Sequence, residues 1–123
     1  MESINFDKLL GEEASLYYCN DSYTFQLGTV KFEVVEDEQD GYRSSLKDVF
    51  IVDRSAKRTE LLANIVIRNS SEIDEGYDLV DTEDDHVWIT FGTDHADDYY
   101  PCFIFRFNAR PDKSIDDLKL LLR

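Results

Sequence analysis

The chain reads as an α+β domain: one mainly antiparallel sheet of about six to seven strands, with a C-terminal helix and a short N-terminal helix. Two observations predict it. Apolar residues alternate with polar ones through most of the chain, the period of half-buried strands. Helical spacing of apolar residues is confined to the two ends, where capping residues accompany it.

From the N-terminus, Ile4 to Leu10 is a short helical candidate closed by Gly11. Phe25 and Leu27 share one parity, while Val30, Phe32 and Val34 share the other, so a bulge at Gly28 would keep both sets on the core face. Val49 to Val52 is a short continuous apolar run, entered from Asp40-Gly41 and closed by Asp53-Arg54-Ser55, and reads as a central strand. Leu61, Ala63, Ile65 and Ile67 alternate with Leu62, Asn64, Val66 and Arg68, a two-sided pattern that suits an inner strand because Ile and Val crowd a helical turn.

Tyr77 to Val80 and Val87 to Phe91 follow, the latter with Val87, Ile89 and Phe91 on one face and Trp88 and Thr90 on the other. Cys102 to Asn108 puts Phe103, Phe105 and Phe107 together and is expected to pair with the preceding strand through the Gly92 to Pro101 loop. Ser114 then caps the C-terminal helix. Asp116 and Asp117 occupy its first turn, and Ile115, Leu118, Leu121 and Leu122 form its apolar face. No repeat or linker divides the chain, so residues 1–123 are expected to form a single globular domain.

Charge sets the functional expectations. The 27 Asp and Glu residues outnumber 13 Lys and Arg, a net charge of −14, which excludes a basic nucleic-acid binder and a polybasic membrane-surface protein. The N-terminus shows no basic start with an apolar run behind it, and no apolar stretch is long enough to span a bilayer, so a cytoplasmic protein without membrane contact is expected. Cys19 and Cys102 are far apart and fit no metal or redox motif; both are expected to be free, packed thiols.

Between Asn69 and Phe105 there is no Lys or Arg, while eleven Asp and Glu residues fall mostly in the turns at 72–75, 81–85 and 94–98. Glu33, Glu36, Asp37, Glu38 and Asp40 form a second acidic cluster. A one-signed surface focuses potential and speeds encounter with a partner of opposite sign. Tyr and Trp beside it suit the centre of a protein interface.

The expected function is therefore a non-enzymatic interaction domain that docks on a basic partner surface. Its partner-binding residues are Asp78, Asp81, Glu83, Asp84, Asp85, Trp88, Asp94, Asp97, Asp98, Tyr99 and Tyr100. By analogy of size and charge, such a domain acts as a nucleic-acid mimic, a phage or mobile-element inhibitor of a nucleic-acid-binding or defence enzyme. A toxin-neutralising immunity protein shares these electrostatics. The alternative from another class is a small metal-assisted hydrolase using His86, His95 and their neighbouring carboxylates.

The acids preceding Val87 lack the spacing of a calcium loop, no nucleophile motif is present, and the five glycines make no phosphate-binding loop. No catalytic residue, metal ligand or cofactor is therefore assigned.

Overall fold

The computed structural model describes residues 2–95 and 100–110. They form nine strands: β1 (Glu2–Ile4), β2 (Glu13–Tyr17), β3 (Thr24–Leu27), β4 (Val30–Glu38), β5 (Ser44–Asp53), β6 (Leu61–Asn69), β7 (Glu75–Asp81), β8 (Val87–Asp94) and β9 (Cys102–Phe107). All join one sheet in the order β1-β5-β4-β3-β2-β6-β7-β8-β9, and every neighbouring pair is antiparallel.

This corrects the α+β expectation to an all-β architecture. Among the described residues the only helical element is a single 3₁₀ turn, Phe6–Leu9. The expected C-terminal helix at 114–122 lies outside the described residues. The expected N-terminal helix stops after that one turn, because Leu10 is already extended and Gly11 follows at φ 85°. Asn5 caps the turn, its side-chain oxygen accepting the Asp7 N–H at 3.1 Å.

Two strands exceed the expected count. β1 is three residues long and pairs only with β5. β2, Glu-Ala-Ser-Leu-Tyr, carries little strand propensity and is held by its neighbours β3 and β6. Gly28 also differs from expectation. Leu27 pairs with Val30, so Gly28 and Thr29 form a two-residue hairpin loop and not a bulge. Gly28 takes φ 60° at the first loop position, as a II′ turn requires, and the reversal accounts for the parity change.

The sheet curls until the start of β5 meets β8 and β9. Ser44 at the start of β5 donates its N–H to Pro101 O at 3.1 Å and accepts the Phe103 N–H on Oγ at 3.0 Å. Leu46 N–H donates to Thr93 Oγ1 at 2.9 Å. The result is a barrel closed along part of one seam, filled by Leu16, Phe25, Val34, Ile65, Leu79 and Phe91.

Phe6 plugs this interior. Its ring meets Phe25, Phe32, Tyr77 and Phe91 edge-on at centroid distances of 5.0 to 6.0 Å. Burying a phenylalanine side chain contributes about 1.5–3 kcal/mol, which explains why the 3₁₀ turn exists despite its poor intrinsic stability. Beside it the Tyr77 hydroxyl donates to the Asp7 carboxylate. Burial, and then that hydrogen bond, raise the Tyr77 pKa well above its ordinary value.

Residues 54–60 run as a strap over the outer side of β3. Ala56 N–H donates to Thr29 O at 2.8 Å and Tyr18 N–H to Glu60 O at 2.8 Å. The strap covers Gln26, whose amide donates to Gly28 O and Lys57 O.

Candidate functional site

The β7–β8 hairpin is covered on both faces. Leu79, Ile89 and Phe91 face the barrel, while Asp78, Thr90 and Trp88 are buried on the other side. Segment 70–74 folds over that outer side, with Ile73 packed on Gly76. Asp78 accepts the Thr90 hydroxyl at 2.8 Å and the Ser71 N–H at 3.3 Å. Asp81 accepts the Trp88 indole N–H at 3.1 Å, the Glu83 N–H at 2.9 Å and the Arg110 guanidinium at 3.1 Å.

Burial by itself would raise the Asp81 pKa. The donated hydrogen bonds, from Glu83 N–H first and then from Trp88 and Arg110, outweigh it and hold the carboxyl below its ordinary range. Asp84 is likewise lowered, by Arg110 and then by the His86 N–H. Arg110 thus bridges two acids and also stands 5.5 Å from the centre of the Trp88 ring.

Asp78, Asp81 and Trp88 are therefore internal groups rather than exposed docking groups. Of the other residues expected on that part of the interface, Asp84 is engaged by Arg110, while Glu83 and Asp85 are exposed in the β7–β8 turn.

Asp94 and His95 lie at the opposite end of β8 from His86. The eight residues of β8 lie between the two histidines, nine steps of about 3.3 Å or about 30 Å of extended chain, so they belong to different sites. His86 Nε2 meets Asn108 O at 2.7 Å, and His95 N–H donates to Asp74 at 2.9 Å. Among the described residues no group of three or more His, Cys, Asp or Glu is arranged to hold a metal ion. Asp97, Asp98 and Tyr99 lie outside the described residues.

Around Tyr100 the fold makes an association that residue order does not reveal. The β4–β5 turn places Tyr42 6.0 Å from the Tyr100 ring, and the Arg43 guanidinium covers that ring at 5.2 Å. Asp40 fixes this turn by accepting the Tyr42 and Arg43 N–H groups at 2.8 and 2.9 Å. Segment 70–75 joins the same end through the Asp74–His95 contact, while Glu72 pairs with Arg106, level with the middle of β8, at 3.4 Å. Glu38, Asp40, Glu72, Asp74 and Glu75, all exposed, thus share an end of the barrel with Tyr42, which is 80% exposed.

The acidic runs themselves are visible in the sequence. Tyr42 is not singled out by its neighbours, because only the seam between β5 and β9 brings it to Tyr100.

The remaining exposed large apolar groups among the described residues are Tyr18, Tyr23, Leu61 and Phe107. Tyr18, Tyr23 and Phe107 border a cleft between β9 and segment 18–23, with a volume of about 330 Å³ and a floor that includes Leu16, Phe25 and Ile89; Leu61 lies in an adjoining depression. Cys19 stands at its rim, and partial burial raises its thiol pKa. Both cysteines are free, and Cys102, expected to be packed, is exposed. No described helix is long and apolar enough to cross a membrane. Comparison with protein-family models, with curated proteins and with solved structures finds no match for this chain.

Proposed function

We propose that this chain is a non-enzymatic interaction domain that acts in the cytosol by docking its acidic end on a basic surface of a partner protein. The observation that supports this reading is the convergence of turn 39–43, segment 70–75 and His95 near the exposed Tyr42 and Tyr100. Carboxylates around an aromatic pair supply both parts of an interface: a field that steers encounter and a contact area that excludes water. The partner's chemistry is a cleft rich in Lys and Arg, of the kind that grips nucleic acid, and the acids of this end stand where phosphates would.

The proposed docking residues differ from those expected from sequence. Glu38, Asp40, Glu72, Asp74 and Glu75 with Tyr42 and Tyr100 carry the contact; Asp78 is enclosed under segment 70–74, and Asp81 and Trp88 lie at the far end of the β7–β8 hairpin.

The test uses two triple variants of equal charge change. Glu38→Gln, Glu72→Gln and Glu75→Gln neutralise the acidic end, whereas Glu2→Gln, Glu12→Gln and Glu13→Gln neutralise exposed acids elsewhere. A partner captured by the native chain at low salt is expected to associate at least about tenfold more slowly with the first variant and nearly normally with the second. Equal slowing by both would show that only net charge matters and would overturn the assignment of this end.

A further inference from the structure

Strand β9 ends the sheet, and half of its backbone has no ladder partner. Its register with β8 pairs Phe91 with Phe105 and Ile89 with Phe107. The Asn108 N–H turns inward to Trp88 O at 2.8 Å, while the Phe103 N–H turns outward to Ser44 Oγ. Antiparallel alternation then directs the N–H and C=O groups of Phe105 and Phe107 outward as well. Among the described residues nothing bonds to them. A row of open donors and acceptors is a template for another strand.

The space beyond this edge is the apolar cleft. Segment 18–23 forms its far wall, where the Tyr23 ring meets Phe103 and Phe105 at 5.2 and 5.6 Å. Tyr23 holds a left-handed φ of 60°, a conformation that costs a non-glycine residue about 1–3 kcal/mol and that clusters at ligand clamps. Its carbonyl accepts the Val34 N–H at 2.8 Å, which fixes the strained residue in place. Past Phe107 the cleft opens into a second depression that holds Arg110, already paired with Asp81 and Asp84, together with Glu60 and Glu83, neither of which has an ion-pair partner among the described residues.

We propose that this edge receives an extended segment of a partner polypeptide. The segment pairs with the backbone of Phe105 and Phe107, turns alternate apolar side chains into the cleft, and carries a basic residue where it passes Glu60 and Glu83. The side-chain alternation of a strand places every second residue against Leu16, Phe25 and Ile89. A second copy of the chain suits the edge poorly, because two bodies of charge −14 repel and the depression offers its acids to a cation. This surface is separate from the acidic end around Tyr42, and the proposal does not depend on that reading.

The probe is a synthetic peptide, acetyl-Lys-Val-Thr-Val-Thr-Val-amide, with its reversed sequence to set the direction of pairing. Titration into the isotopically labelled full chain is expected to shift the amide signals of Phe105 and Phe107 and to slow their hydrogen exchange. N-methylation of the peptide backbone at alternate residues removes its ladder donors and is expected to weaken binding at least tenfold. Phe107→Pro, which removes one outward donor without touching the ladder to β8, is expected to do the same.

Three outcomes overturn the proposal: equal binding of the N-methylated peptide, failure of both peptide directions to shift these amides, or amides of Phe105 and Phe107 already protected in the free chain. The last outcome, if it depends on concentration, assigns the edge to a second copy. The comparison of native and N-methylated peptides uses the unaltered protein, so it stands even where the proline variant fails to fold.

Discussion

Glu75, Asp78 and Asp81 stand three residues apart on one strand and meet different fates. Glu75 is exposed with Glu72 and Asp74 at the acidic end, while Asp78 and Asp81 are buried under segment 70–74 and the Trp88 ring. The exposed group contributes to a field felt by other molecules; the buried pair is consumed by internal donors. Formal charge thus overstates the acidity this face presents. What decides the role of a carboxylate here is burial: Asp78 and Asp81 are enclosed with their donors, whereas Asp40 and Glu72 stay exposed beside Arg43 and Arg106.

The sharpest way to break the distinction is to remove the cover from the buried pair. Gly92 sits at φ 149° against Glu75 and Gly76, and a Cβ there would lie 2.1 Å from Glu75 O and 2.5 Å from the Gly76 Cα. Those contacts are with backbone and cannot swing away. Gly92→Ala is therefore expected to cost more than about 4 kcal/mol and to leave little folded protein, measured by circular dichroism and expression level. If the variant melts like the native chain, the close crossing of β7 and β8 does not hold Asp78 in place.

A smaller break is Asp81→Leu, which strands the Trp88 indole N–H and frees Arg110. The expected loss is about 1–3 kcal/mol in denaturant midpoint analysis. The matching change at an exposed acid, Glu75→Leu, is expected to stay within about 0.5 kcal/mol.

Acid sharpens the same contrast. The folded pKa of Asp81 is depressed, so its contribution is fully present above the ordinary carboxylate value near about 4 and is lost as pH falls through the lower folded value. Thermal stability is expected to fall over that window in the native chain and to fall less in Asp81→Asn. At the other limit the raised Tyr77 pKa gives stability that is complete below about 10 and is lost as pH rises further, an effect that Tyr77→Phe removes.

The smallest expected effect on stability is at the exposed end. Tyr42→Ala, at a residue 80% exposed, is expected to change the unfolding free energy by under about 0.5 kcal/mol while weakening partner capture severalfold. A large stability loss there would place Tyr42 among the scaffold residues instead.

Much of the sheet is legible in the residues. Ile65 and Ile67, or Phe103 and Phe105, announce strands by alternation, and the pairing of β8 with β9 follows from their order along the chain. Other features depend on distant partners. β2 is a strand because β6 pairs with it across more than forty residues, not because Glu-Ala-Ser-Leu-Tyr favours extension. The short 3₁₀ turn follows from where Phe6 must go. Asp78 and Asp81 read as surface acids because single positions carry no sign of the loop that will cover them. The acidic end was legible as composition, but the meeting of Tyr42 with Tyr100 depends on barrel closure, and the cleft depends on β9 being last in the sheet.

That closure also orders the assembly of the molecule in time. β6, β7, β8 and β9 follow one another in both chain and sheet, so their pairings close short loops. The seam contacts join Leu46 to Thr93 and Ser44 to Phe103, across 47 and 59 positions. Closing such long loops costs more chain entropy before any contact rewards it. Strands β2 to β5 make the same kind of meander, so both four-strand units are expected to form before the seam between them closes. The acidic end around Tyr42 and Tyr100 straddles that seam, so the surface proposed to meet a partner is expected to form only once the two meanders have met.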